Sequence, residues 1–150
     1  MRLIFSIQKQ KLIITTPAWA AVLNATSGRD KCMNNSSEEC LSQSWHGPIP
    51  IGEYFINPRE LSDPNIFGDI LRNFRPDSPG DWGSFRIRIH AKEDTETHGR
   101  DNFFLHGGSV EGSAGCIDIG GGLFGSQHLN NLLTAIRMSK HAIDLEVISE

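Results

Sequence analysis

The chain has 150 residues and a formal net charge of −4, with 38% hydrophobic and 21% charged residues. These values are typical of one soluble globular domain, and we expect a single domain over residues 1–150. The negative charge and the lack of a lysine- or arginine-rich cluster argue against a nucleic-acid partner or a membrane-surface partner.

Most of the elements that the sequence predicts are short strands. Fifteen glycines and seven prolines favour a loop-rich, mainly β protein. Apolar and alternating runs predict strands at Leu3–Ile7, Lys11–Thr15, Ala20–Thr26, Glu53–Ile56, Gly83–His90, Phe103–Leu105 and Ala142–Ile148, and the chain becomes apolar again at Ile117. An apolar stripe predicts one C-terminal helix over Gln127–Met138, capped by Ser126. A short helix is expected in an insertion, at Asn65–Leu71.

The first residues allow two interpretations. Basic residues precede a mostly apolar stretch, Leu12–Asn24, and Ala18–Ala20 resembles a signal-peptide cleavage site. However, Thr15–Pro17 interrupt the apolar stretch, so a β-hairpin is the favoured interpretation and a signal peptide the alternative. No segment approaches the roughly 20 apolar residues of a membrane span.

The three cysteines fall into two groups. Cys32 and Cys40 flank a polar stretch and could close a small disulfide loop, which would stabilise the fold by about 2–3 kcal/mol. The alternative is that all three are reduced thiols in a cytosolic protein. A bridge would indicate an oxidising compartment such as the periplasm, and it would leave Cys116 unpaired.

The stretch Phe103–Asp118 carries the functional prediction. It begins as an apolar run and continues at His106 into a segment with four glycines before Cys116. A thiol is a poor nucleophile until it loses its proton, which a neighbouring imidazole can accept. Glycines let backbone N–H groups approach a reacting group closely, so Gly115 and Cys116 are candidate oxyanion donors. The alternative is a buried structural cysteine and an ordinary histidine.

The pattern His-Gly…Ser-x-Gly-Cys-Ile resembles the active-site signature of L,D-transpeptidases, cysteine enzymes that act on the stem peptides of bacterial peptidoglycan. The chain departs from the usual Ser-His-Gly-Cys because Ala114 replaces the second histidine. His106 and Cys116 are also closer together, at ten residues. Both departures resemble the L,D-transpeptidase-like toxins of type VI secretion systems. The resemblance implies a mostly β, L,D-transpeptidase-like β-sandwich with one C-terminal α-helix.

Candidate substrate-binding residues follow from the same resemblance. The element Gly47–Tyr54 resembles a family stretch that precedes a strand beside the catalytic site, and family members often carry an arginine shortly before the catalytic strand, here Arg100. Arg100 could hold a stem-peptide carboxylate bidentately or anchor its loop. Arg86 and Arg88 share one face of a strand, which is either solvated or lines a polar groove. Tyr54, Arg86, Arg88 and Arg100 are therefore the candidates.

The resemblance also implies a mechanism through a Cys116 thioester. His106 removes the thiol proton, the Gly107 carbonyl orients the imidazole, and Ser113 shapes the turn or donates a hydrogen bond. The thiolate attacks the amide after the third stem residue and expels D-alanine. Water, a D-amino acid or another stem amine then resolves the thioester, giving L,D-carboxypeptidase or L,D-transpeptidase outcomes. All three acceptors meet the same intermediate, so the three outcomes stay open.

We expect no metal and no cofactor, because zinc-type ligand pairs and nucleotide-binding glycine loops are absent from the sequence. The resemblance implies an antibacterial toxin that is made in the bacterial cytoplasm and acts in the periplasm of a target cell. Its expected partners are peptidoglycan stem peptides, D-amino acids, a component of the secretion apparatus and a cognate immunity protein. The alternatives are an inactive peptidoglycan-binding relative and a structural domain of a phage or secretion particle.

Overall fold

The computed structural model describes residues 1–62, 85–108, 114–120 and 127–150. The strands are β1 Arg2–Ser6, β2 Lys11–Thr15, β3 Ala20–Asn24, β4 Gly52–Ile56, β5 Arg86–Ala91, β6 Phe103–Gly108, β7 Ile117–Gly120 and β8 Ile143–Ile148. The helices are α1 Glu38–Leu41 and α2 Gln127–Met138, with 3-10 turns at Asp30–Cys32 and Pro58–Glu60. The mostly β fold with one C-terminal helix is confirmed. The predicted insertion helix Asn65–Leu71, Ser113 and the predicted cap Ser126 lie outside the described residues.

All eight described strands belong to one sheet, in the order β3-β2-β1-β8-β4-β5-β6-β7. The β1–β8 and β6–β7 pairs are parallel, and the other neighbours are antiparallel. Side chains alternate between the two faces of a strand, so one face supplies the core. Fully buried examples are Leu3, Phe5, Leu12, Ile14, Ile87 and Leu105.

Among the residues that the structure describes, one isolated bridge joins the two ends of the sheet. Thr26, which follows β3, pairs antiparallel with Asp118 on β7. The Thr26 N–H donates to the Asp118 carbonyl at 2.9 Å, and the Asp118 N–H donates to the Thr26 carbonyl at 2.8 Å. The sheet is therefore nearly closed, and β7 has a partner on each side, at least along part of its length.

Helix α2 covers part of the sheet with the apolar stripe that the sequence predicts. Leu129, Leu132, Leu133 and Ile136 recur on one side of the helix, and all four are buried. The helix packs near β3 and near the 3-10 turn Pro58–Glu60. Its stabilisation comes mainly from burying this stripe, since a helix of 12 residues is marginal by itself in water.

The segment between β3 and β4 is fastened at several points. Cys32 and Cys40 form a disulfide, which is the first of the two alternatives that the sequence left open. A Cβ atom at Gly47 would lie 2.0 Å from the Cys40 carbonyl oxygen, so only glycine allows this close backbone approach. Arg100, which lies just before β6 and is only 7% exposed, also donates hydrogen bonds to this segment.

The Arg100 guanidinium donates to three backbone carbonyls. Its Nη1 donates to Leu41 O at 2.6 Å and to Pro48 O at 2.8 Å, and its Nη2 donates to Gly47 O at 2.8 Å. The planar fork of arginine suits several acceptors at once, whereas the ammonium of lysine is a point charge. Of the two roles that the sequence suggests for Arg100, these contacts correspond to loop anchoring.

Removing the disulfide tests its contribution to stability. We expect the Cys32→Ala/Cys40→Ala double variant to lose about 2–3 kcal/mol of unfolding free energy, because the bridge restricts the unfolded chain. Urea denaturation measures this loss, with wild-type protein under reducing conditions as the comparison. Equal stability of the variant and the oxidised wild type would contradict the prediction.

Replacing Arg100 tests the anchoring role. We expect Arg100→Lys to lower the unfolding free energy by about 2–4 kcal/mol, because lysine leaves buried carbonyls without donors. Arg88→Lys is the matched control: Arg88 is exposed, so its replacement should change stability by less than about 0.5 kcal/mol. A weaker substrate affinity of the Arg100 variant with unchanged stability would instead support direct substrate binding.

Candidate functional site

The pairing of β6 with β7 brings the predicted nucleophile and base to one face of the sheet. The parallel register places Leu105 opposite Ile117 and His106 opposite Asp118. Cys116 lies two residues before Asp118, so alternation puts both on the face that carries His106. Residues ten positions apart in sequence therefore meet because two neighbouring strands run in the same direction.

An open cleft of about 360 Å³ lies on this face, within the size range of small-ligand sites. Its lining residues are Phe85, Arg86, Phe104, His106, Gly107 and Cys116. The Arg86 guanidinium lies over the Phe104 ring, 4.4 Å from its centroid, an arrangement that favours the cation. The cleft thus contains the predicted nucleophile, the predicted base, the predicted orienting residue and one of the predicted substrate arginines.

The imidazole of His106 is oriented by the residue that follows it. Its Nδ1 lies 3.2 Å from the Gly107 carbonyl oxygen. A carbonyl only accepts, so in this contact Nδ1 carries the hydrogen and the neutral ring has an unprotonated Nε2. This tautomer is the one that can accept a proton from a thiol through Nε2.

Asp118 lies beside His106, although the sequence does not predict a catalytic or substrate-binding role for it. Its Oδ1 lies 3.9 Å from His106 Nδ1, and the residue is only 1% exposed. The sequence does contain an indication of this. Asp118 lies between the apolar residues Ile117 and Ile119, and strand alternation places it on the same face as Cys116. A carboxylate at such a position of a buried strand indicates a partner of opposite charge.

The surroundings of Cys116 favour the protonated thiol. Burial raises the pKa of the half-buried Cys116 thiol, and the charge of Asp118 raises it further. A backbone hydrogen bond at Phe104 and the positive charges of Arg86 and Arg29 act in the opposite direction, without cancelling the effect of burial. At neutral pH the resting thiol therefore keeps its proton.

Gly115 has a structural role besides the predicted one. Its N–H donates to the Gly47 carbonyl at 2.9 Å, so this amide is engaged within the protein, and its role as an oxyanion donor stays a prediction. The φ of Gly115 is +73°, and a Cβ atom there would lie 2.8 Å from the Phe103 ring. Both the backbone conformation and the close packing thus require glycine. Ser113 lies outside the described residues.

The other predicted substrate residues do not line the cleft in the part of the chain that the structure describes. Tyr54 is fully buried, and its hydroxyl donates to the Pro50 carbonyl at 2.7 Å. Burial raises the pKa of Tyr54. Arg100 is occupied by loop carbonyls, and Arg88 is exposed on β5, opposite Phe104. Tyr54 and Arg100 therefore fasten the segment before β4 rather than face the cleft.

Neither a metal-binding cluster nor a membrane-spanning helix is found in the described residues, which are 1–62, 85–108, 114–120 and 127–150. Within these ranges, no group of three or more histidine, cysteine, aspartate or glutamate side chains is arranged to hold a metal ion. Within the same ranges, no helix has both the length and the apolar character that crossing a bilayer requires.

One family model, the Tlde1 domain, matches residues 21–137 of the chain. No curated protein is significantly similar in sequence. The family match covers well over half of the chain and includes β4 to β7, the cleft and almost all of β3 and α2. The chain therefore belongs to the Tlde1 domain family, the type VI secretion effectors of the L,D-transpeptidase kind.

Proposed function

We propose that this domain is a cysteine L,D-transpeptidase or L,D-carboxypeptidase that acts on tetrapeptide stems of peptidoglycan. The observation that carries the proposal is the cleft that holds both Cys116 and His106, in a chain of the Tlde1 family. Membership of that family supports an L,D-transpeptidase-like enzyme. We assign Cys116 as the nucleophile, His106 as the base and the peptidoglycan stem peptide as the substrate.

In the first step, His106 Nε2 accepts the proton of the Cys116 thiol, and the sulfur attacks the carbonyl carbon of the third stem residue. The Gly107 carbonyl keeps the hydrogen of the neutral imidazole on Nδ1, which leaves Nε2 available as the base. General-base assistance of this kind contributes about 10²- to 10⁴-fold to a rate. A base is required here because burial raises the pKa of the thiol.

In the second step, the tetrahedral intermediate collapses to a thioester. The carbon–nitrogen bond breaks, the electron pair goes to the leaving amine, and His106 returns its proton to that amine as D-alanine departs. We assign the Cys116 backbone N–H as a donor to the oxyanion, since the Gly115 N–H is bonded to Gly47. Ser113 keeps its predicted role near the turn as part of this proposal.

In the third step, an acceptor attacks the thioester. His106 takes a proton from water, from the amine of a D-amino acid or from a stem amine, and the Cys116 sulfur leaves as the thiol. Water gives trimming, a D-amino acid gives exchange, and a stem amine gives a crosslink. The open cleft gives each of these small nucleophiles access to the thioester.

Arg86 is the best-placed arginine for a stem-peptide carboxylate. Its guanidinium lies over Phe104 beside the thiol, and arginine binds carboxylates bidentately. The terminal carboxylate of D-alanine lies close to the bond that is cleaved, so a cation near Cys116 can recognise it. Arg88 is not among the residues that line the cleft, and Arg100 is bonded to backbone carbonyls.

The proposed setting is the periplasm of a target bacterium, reached by type VI secretion. The family supports secretion, a peptidoglycan substrate and an immunity partner. The Cys32–Cys40 disulfide is compatible with an oxidising compartment. Loss of D-alanine from tetrapeptides removes donors for L,D-crosslinking, which would weaken the wall of the target cell.

Muropeptide digestion tests the proposed reaction. We expect wild-type protein to remove the terminal D-alanine of a purified disaccharide-tetrapeptide, or to replace it when a D-amino acid is added, as measured by mass spectrometry. Cys116→Ala should abolish product formation, and His106→Gln should slow it by about 10²- to 10⁴-fold. Arg88→Gln is the surface control and should react like wild type. Equal turnover by Cys116→Ala would contradict the proposal.

The pH dependence of thiol alkylation tests the pair without a peptidoglycan substrate. Because burial raises the pKa of Cys116, the resting thiol is protonated at neutral pH, and alkylation there depends on His106 accepting the proton as the sulfur attacks the reagent. We therefore expect iodoacetamide to label wild-type Cys116 at pH 7 at least about tenfold faster than His106→Gln. The variant should approach the wild-type rate only at alkaline pH. The guanidinium-unfolded protein, with its disulfide intact, supplies the ordinary thiol rate.

A further inference from the structure

We propose that Asp118 is a positioning residue that orients His106 and stabilises its imidazolium during proton transfer. The inference deepens the proposed function and rests on it, since it concerns the same thiol and imidazole. Asp118 does not reach the reacting atoms of the substrate in this assignment. It acts through His106 alone.

The register of the sheet fixes this contact. Asp118 is the partner of His106 across the parallel β6–β7 pair, and directly paired residues project from the same face. The resulting Oδ1 to Nδ1 distance is 3.9 Å. Contacts of this kind are often long in unliganded enzymes and shorten when substrate binds.

The backbone holds the carboxylate in place. Asp118 exchanges two hydrogen bonds with Thr26 at the point where the sheet closes, at 2.8 Å and 2.9 Å. Its side chain is almost fully buried, at 1% exposure, and a buried carboxylate is costly unless it is paired with charge or hydrogen bonds. The imidazolium that forms on His106 supplies such a charge on the same face.

Two acceptors thus surround the same nitrogen, and they serve different steps. The Gly107 carbonyl at 3.2 Å is neutral and suffices to select the resting tautomer. The Asp118 carboxylate is negatively charged, so its attraction to His106 increases when the ring gains a proton from Cys116. Arg86 and Arg29, the cations that act on Cys116, favour the thiolate of the same pair.

Comparison of Asp118→Asn with Asp118→Ala tests the inference. An asparagine amide can donate to Nδ1 and would stabilise the wrong tautomer, with the hydrogen on Nε2, whereas alanine leaves the Gly107 carbonyl in control. We expect Asp118→Asn to lower kcat on muropeptide by about 10²- to 10³-fold with KM changed less than about threefold. Asp118→Ala should lose less activity than Asp118→Asn.

A purely structural role predicts the reverse order, because the near-isosteric asparagine disturbs packing less than alanine. Alanine being the worse variant would therefore overturn the inference. The unfolding free energy of each variant, measured in urea, identifies losses that come from partial unfolding. Thr26→Ser is a matched control, since it keeps the backbone bridge and should leave kcat within about twofold.

Two measurements on the resting protein separate this inference from the proposed function. ¹⁵N NMR should show the hydrogen of His106 on Nδ1 in wild type and partly on Nε2 in Asp118→Asn. Iodoacetamide labelling of Cys116 at pH 7 should follow the same order as kcat. If these results hold while no muropeptide reacts, the positioning role stands and the substrate assignment fails. Wild-type NMR with the hydrogen on Nε2 would overturn the positioning role even if both variants failed to fold.

Discussion

The parallel pairing of β6 with β7 is the constraint on which the site depends. It places His106 opposite Asp118 and brings Cys116 to the same face, because side chains alternate along each strand. A shift of one residue in this register would turn the imidazole or the thiol to the core face. The geometry of the proposed site is therefore a consequence of backbone hydrogen bonds, and any change that loosens β7 should disturb this geometry before it affects the rest of the core.

Several contacts hold β7 in that register from outside the pair. The Thr26–Asp118 bridge fixes its far edge, and the hydrogen bond from Gly115 to Gly47 fixes the residue before the nucleophile. Gly47 belongs to the segment that Arg100 and the Cys32–Cys40 disulfide fasten. One chain of contacts thus connects the disulfide to Cys116, the proposed nucleophile. The disulfide therefore has a physical connection to the cleft as well as an entropic effect on the unfolded chain.

The sequence predicted those features that depend on local patterns. Strand and helix positions followed from periodicity, and α2 begins and ends where its apolar stripe predicts; the shared cleft of His106 and Cys116 followed from a short motif. The Arg100 contacts and the engagement of the Gly115 amide depend on a segment about 50 to 70 residues away in sequence, so no local pattern indicates them. Asp118 lies between these two cases. Strand alternation from Cys116 would have predicted the face on which it lies, but not its contact with His106.

The resting state of the thiol suits the compartment in which the proposed enzyme works. Thiolates are oxidised and exchange with disulfides far more readily than thiols do. Burial raises the pKa of Cys116, so the free enzyme keeps its nucleophile protonated in an oxidising environment. His106, held by Gly107 and paired with Asp118, then generates the nucleophile when an amide carbonyl is present to receive it. On this view the raised pKa protects the Cys116 thiol from oxidation. A protonated thiol reacts slowly, and the oriented imidazole of His106 restores its reactivity by accepting the proton.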